Sequence, residues 1–112
     1  MRRAAFLALF LAATAAQAQE PTYAMVTWQQ AGIGRGQVRA WGPLATGFCN
    51  ANLGTIATLL SKDISPDLRL AVRVCAPQSQ LQEYVSAYRC APVSRSHNKG
   101  DAQVWVYECI GP

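Results

Sequence analysis

From Leu68 to Cys75 the chain alternates. Leu68, Leu70, Val72 and Val74 take one set of positions, and Arg69 and Arg73 the other. Successive side chains of a strand point to opposite faces, so this stretch predicts a strand with its aliphatic set on a core and its arginines outward. Upstream the period changes. Cys49, Leu53, Ile56 and Leu60 recur at i, i+4, i+7 and i+11, one stripe of a helix that Phe48 and Leu59 widen. Thr46 is placed to cap that helix, and Ser65-Pro66 stops it, because the residue before proline is pushed out of helical geometry. Gly54 and the β-branched Thr55, Ile56 and Thr58 weaken it, so it depends on packing more than on propensity. Lys62 near its end suits the helix dipole.

The flanking segments extend the same reading. Tyr23 to Gln30 is aromatic and β-favouring, with Val26 and Trp28 on one face and Tyr23 and Met25 on the other. A strand apolar on both faces is either central in a sheet or covered at its end by a loop. Gly32, Gly34 and Gly36 follow in a G-x-G-x-G spacing that departs from the G-x-G-x-x-G dinucleotide fingerprint. The strand-like Val38 to Trp41 after it predicts a β-hairpin with Arg35 at its tip. Gly42-Pro43 closes that strand. Ser79 with Gln82 three residues on resembles a capping box, and Leu81, Tyr84, Val85 and Tyr88 follow at helical spacing, giving a short helix over 79–88. Residues 91–102 read as a polar connection, and Gln103 to Cys109 as the last strand. The expected fold is a single small α+β domain: about four strands in an antiparallel or mixed sheet, in the order β-β-α-β-α-β, with one or two helices on one face and disulfides as staples.

The first eighteen residues stand outside this domain. Arg2 and Arg3, an apolar run from Ala4 to Ala16, and Ala16-Gln17-Ala18 form the three parts of a secretory signal. The run is shorter than the roughly 20 apolar residues a membrane span needs. Cleavage after Ala18 leaves residues 19–112, periplasmic or secreted, with no membrane span. It also changes the charge: the full chain carries 10 Lys+Arg against 6 Asp+Glu, for +4. Loss of Arg2 and Arg3 leaves 8 against 6, or +2. That excess is too small to point to nucleic acid.

Export also gives the cysteines a meaning. Cys49, Cys75, Cys90 and Cys109 all lie after the signal, and an even count in a short exported chain reads as a disulfide framework. Three pairings are possible. A helix over 46–60 rises about 21 Å and a strand over 68–75 returns about 23 Å. Matched antiparallel arms bring Cys49 beside Cys75 and leave Cys90 with Cys109. Two features oppose this pairing: alternation puts Cys75 on the arginine face, and Cys90 ends a helix while Cys109 ends a strand.

Candidate chemistry is sparse. No C-x-x-C pair and a single histidine, His97, argue against a metal or a redox dithiol, and no cofactor motif is present. His97, near Ser96, Lys99 and Asp101, is the one neutral-range base; in a polar loop it reads as a solvated residue rather than a catalytic one. Glu83 and Glu108 read as surface carboxylates. Trp28 and Trp105 are assigned to the core. Trp41 and Arg39 at a strand end, with Arg35 at the hairpin tip, form the candidate binding surface, since Trp and Arg are enriched at binding hot spots. The expectation is an exported binding or interaction module, an inhibitor or accessory, acting on an extracytoplasmic protein or ligand. The alternatives are a small hydrolase using His97 and a structural envelope protein.

Overall fold

The computed structural model describes residues 20–31, 35–97 and 102–112, the side chains of 95–97 excepted. Residues 1–19, which include the expected signal, residues 32–34 with two of the three hairpin glycines, and residues 98–101, where a turn is expected, lie outside the described residues. Seven elements follow in order: β1 (Thr22–Gln30), β2 (Gly36–Leu44), α1 (Thr46–Leu60), β3 (Leu68–Pro77), α2 (Gln78–Ala87), β4 (Cys90–His97) and β5 (Gln103–Cys109). The strands form one sheet in the order β3-β1-β2-β5-β4, and every neighbouring pair is antiparallel. The domain is small, α+β, and closed by Cys49–Cys75 and Cys90–Cys109.

The sheet has five strands where the sequence pattern predicts four. The added strand, β4, comes from the polar stretch after Cys90, which pairs along β5 from Cys90↔Cys109 to His97↔Gln103. It is an edge strand and needs only one ladder. Pro92 and a register shift between Pro92 and Ser94 are tolerated there. The same pairing sets Cys90 directly opposite Cys109, which removes the objection to that disulfide.

The second difference is larger: the helices cover opposite faces of the sheet, not one face. On the α1 side Ala24, Val26 and Trp28 of β1 pack with Cys49, Ile56, Ala57 and Leu60. On the α2 side Met25, Val38, Ala40 and Ala76 pack with Leu81. The hydrophobicity of β1 on both faces is the physical cause, because each face needs its own cover.

Strand β3 shows how the arginine face came to hold a core cysteine. Thr27 pairs with Val72 and Trp28 with Leu70, so Ala71 is skipped. A bulge of this kind reverses the facing of everything beyond it. Val72 and Val74 therefore pack on the α2 side, and Leu68 on the α1 side. Arg73 and Cys75 keep their predicted face, and that face is the one α1 covers. No twist is needed to reach Cys49.

Neither helix is capped as its sequence suggests. The cap position of α1 is Ala45, and the Thr46 hydroxyl instead hydrogen-bonds the Thr22 hydroxyl at 2.8 Å. α2 begins behind Pro77 with no side-chain cap of its own. Its Ser79 N–H donates to a Glu20 carboxylate oxygen at 2.6 Å, an acceptor 59 residues away in sequence. Among the described residues no helix is long and apolar enough to cross a membrane.

Candidate binding groove

Helix α1 lies mainly over β1 and β3. A helix is about 10 Å wide and strands sit about 4.8 Å apart, so one helix covers about two strands. Beside α1 the sheet is left open, and a groove of about 530 Å³ runs there. Trp41 of β2 and Val104 and Val106 of β5 line its sheet side, set side by side by the register Trp41↔Val104 and Arg39↔Val106. Ile56, Leu59 and Leu60 line its helix side. Arg39, Lys62 and Asp63 complete the lining. The volume lies within the range of about 300–1,000 Å³ typical of small-molecule sites.

The helix contributes more to this groove than its pattern foretold. Its core stripe is Cys49, Leu53, Ile56, Ala57 and Leu60. Phe48 and Leu59, expected to widen that stripe, sit on its flanks at 49% and 61% exposure. Phe48 stands edge-on to Trp41, ring centroids 6.3 Å apart and planes at 74°. Trp41 itself is partly buried against the core. Its indole N–H is buried without a hydrogen-bond partner, a state that forgoes the stabilisation a buried donor usually recovers.

Arg39 is committed to the fold. Nη1 donates to the Leu60 carbonyl at 2.8 Å and to the Lys62 carbonyl, and Nε donates to Gln37 Oε1 at 2.8 Å. The last carbonyls of a helix lack intrahelical donors and carry its negative dipole end, and Arg39 meets both needs. Its guanidinium also lies 5.7 Å from the centroid of the Trp28 ring. Burial lowers its pKa, with Asp63 pulling the other way.

The structure thus brings Arg39 and Trp41 to one groove. Arg35 lines a different one, of about 470 Å³, with Asp67 and Glu108. Trp28 is core, 4% exposed. Trp105, expected there too, is half-buried beside Tyr23, Leu81 and Tyr107 on the α2 side. His97 ends β4 opposite Gln103; its side chain, with Lys99 and Asp101, lies outside the described residues. The described residues include no free thiol and no group of three or more His, Cys, Asp or Glu side chains able to hold a metal. Beyond Arg39 and Trp41, sequence reasoning missed the lining: Ile56, Leu59, Leu60, Lys62 and Asp63 on the α1 side, and Val104 and Val106 on β5. The one signal for the last two was β5 itself, which reads Val104-Trp105-Val106-Tyr107 and is apolar on both faces. Comparison with known proteins returns no match: no family model fits the chain, and no characterised protein or solved structure resembles it.

Proposed function

We propose that this chain is a small exported binding protein, periplasmic or secreted, that recognises an extracytoplasmic protein or ligand through the groove beside α1. The observation that carries the reading is the open half-face of the sheet. Trp41, Val104 and Val106 are only partly covered by α1, and an exposed Leu59 stands beside them. Concave apolar surface with a few polar groups at its margin is the usual form of a recognition site. Export is supported by the signal-like start of the chain and by two disulfides, which persist in oxidising compartments. Binding rather than catalysis is supported by the cysteines being consumed in structure and by the single histidine sitting at an edge-strand end.

The test is capture from envelope extract, with bait recovered as its host processes it and an intact mass that begins at Gln19. Trp41→Ala and Leu59→Lys should each weaken capture of the partner while circular dichroism stays native, and His97→Ala should leave capture unchanged. Leu59 is exposed, so its substitution tests the groove without opening the core. Turnover of a substrate that His97→Ala abolishes without unfolding the protein would replace this reading with the hydrolase.

A further inference from the structure

We infer that the groove takes a single-chain anionic amphiphile, a free fatty-acid carboxylate, with its hydrocarbon body on Trp41, Val104, Val106 and Leu59 and its carboxylate at Lys62. This rests on the groove being the binding site proposed above. The body is argued from the walls. They are aliphatic and aromatic, and the Trp41 indole N–H among them is buried. An extended peptide laid here would leave its own amides without partners, at a cost each, whereas a hydrocarbon chain requires none. The head is argued from charge. The lining holds two cations, Arg39 and Lys62, against one carboxylate, Asp63. Arg39 commits Nη1 to the Leu60 and Lys62 carbonyls and Nε to Gln37, which fixes its guanidinium and leaves only Nη2 to a ligand. Among the described residues the Lys62 side chain has no hydrogen bond or ion pair. An excess positive charge beside an apolar trough complements one negative head on one apolar tail.

The experiment uses the full chain as its host processes it, with laurate, dodecanol and dodecyltrimethylammonium, each below its micellar concentration. Binding is read by tryptophan emission and calorimetry. Laurate should bind saturably at one per chain and about two- to fivefold more tightly than dodecanol, the scale of one solvent-exposed charge pair. That margin should close in about 1 M salt. Lys62→Glu should erase the margin and leave dodecanol binding as it was. Leu59→Ser should weaken both ligands about tenfold, the worth of most of one leucine contact. No saturable binding by any amphiphile overturns the inference. So does a margin that Lys62→Glu leaves intact, or a groove filled only by an amphipathic helical peptide. If amphiphiles fail while Trp41→Ala still weakens partner capture, the ligand class is wrong and the binding reading stands. If capture is also insensitive to Trp41→Ala, both fall.

Discussion

Gly54 and Arg39 show how differently single residues bear on this fold. A Cβ added at Gly54 meets nothing within 4 Å, so nothing in the packing requires glycine at that place in α1. Alanine there recovers helix propensity and narrows the unfolded ensemble; Gly54→Ala should raise stability by about 0.5–1 kcal/mol, read as a higher urea midpoint at unchanged slope. Gly42 is the opposite case. An added Cβ there would lie 2.5 Å from the Tyr23 ring and 2.9 Å from the Thr22 carbonyl oxygen. Arg39 looked in sequence like a recognition residue, yet its bonds close the end of α1. Removing its charged donors strands the Leu60 and Lys62 carbonyls, and water reaches part of the site. Arg39→Met should therefore cost about 1–2 kcal/mol in urea unfolding. A loss of partner binding in that variant would report on α1, which is why Leu59 and Lys62 are the cleaner probes of the groove.

At the scale of elements, α2 depends on a contact that no local pattern could reveal. Glu20 accepts from the Ser79 N–H at the start of the helix, and hydrogen bonding by Ser79, its side chain first and its backbone N–H second, holds the carboxyl below the ordinary value of 4.5. A carboxyl with a depressed folded pKa contributes stability above its unfolded pKa, and that contribution disappears as pH falls through the folded value. The start of α2 should loosen as pH drops below 4.5. Amide exchange at Ser79 should accelerate there relative to Leu81, and Glu20→Gln should show the faster exchange already at neutral pH. An unchanged Ser79 rate in both would show that Glu20 does not cap the helix.

The same locality explains what could be read from the sequence. Strand β3, the stripe of α1 and the β1–β2 hairpin were legible because each rests on a periodic pattern within a few residues. So were both disulfides, through the matched lengths of α1 and β3. The bulge at Ala71 was not, since it is decided by pairing with β1 and leaves the alternation of residue types untouched. β4 was hidden because an edge strand may be polar on both faces. The groove was half legible: Arg39 and Trp41 announced it, but its other side comes from β5 and from the flank of α1. Those residues meet only through the long-range pairing of β2 with β5 and the packing of α1 on the sheet.

At the scale of the whole molecule, the two disulfides hold different things. Cys49 in the first turn of α1 joins Cys75 near the end of β3 across 26 residues. Cys90 joins Cys109 across 19 residues, between an edge strand and its neighbour. Loop entropy assigns the two nearly equal weight, about 3.5 and 3.2 kcal/mol. Global unfolding should therefore fall by about 3 kcal/mol for either paired Cys→Ala variant. The native states should differ. α1 has two glycines, no side-chain cap, no acid in its first turn and no base in its last; Arg39 holds its C-terminal end, and its N-terminal turn is held by packing, by the Thr22–Thr46 hydroxyl pair and by Cys49. Without that bridge its N-terminal turn, and with it Phe48 beside Trp41, should open first. Hydrogen exchange in Cys49→Ala/Cys75→Ala should rise through α1 from Cys49 towards Leu53, with affinity at the groove falling in step. In Cys90→Ala/Cys109→Ala it should rise in β4 and the facing residues of β5 near Glu108, leaving α1 protected. Equal exchange in α1 for both variants would mean that the helix is held by the sheet alone, and that the groove does not depend on the bridge beside it.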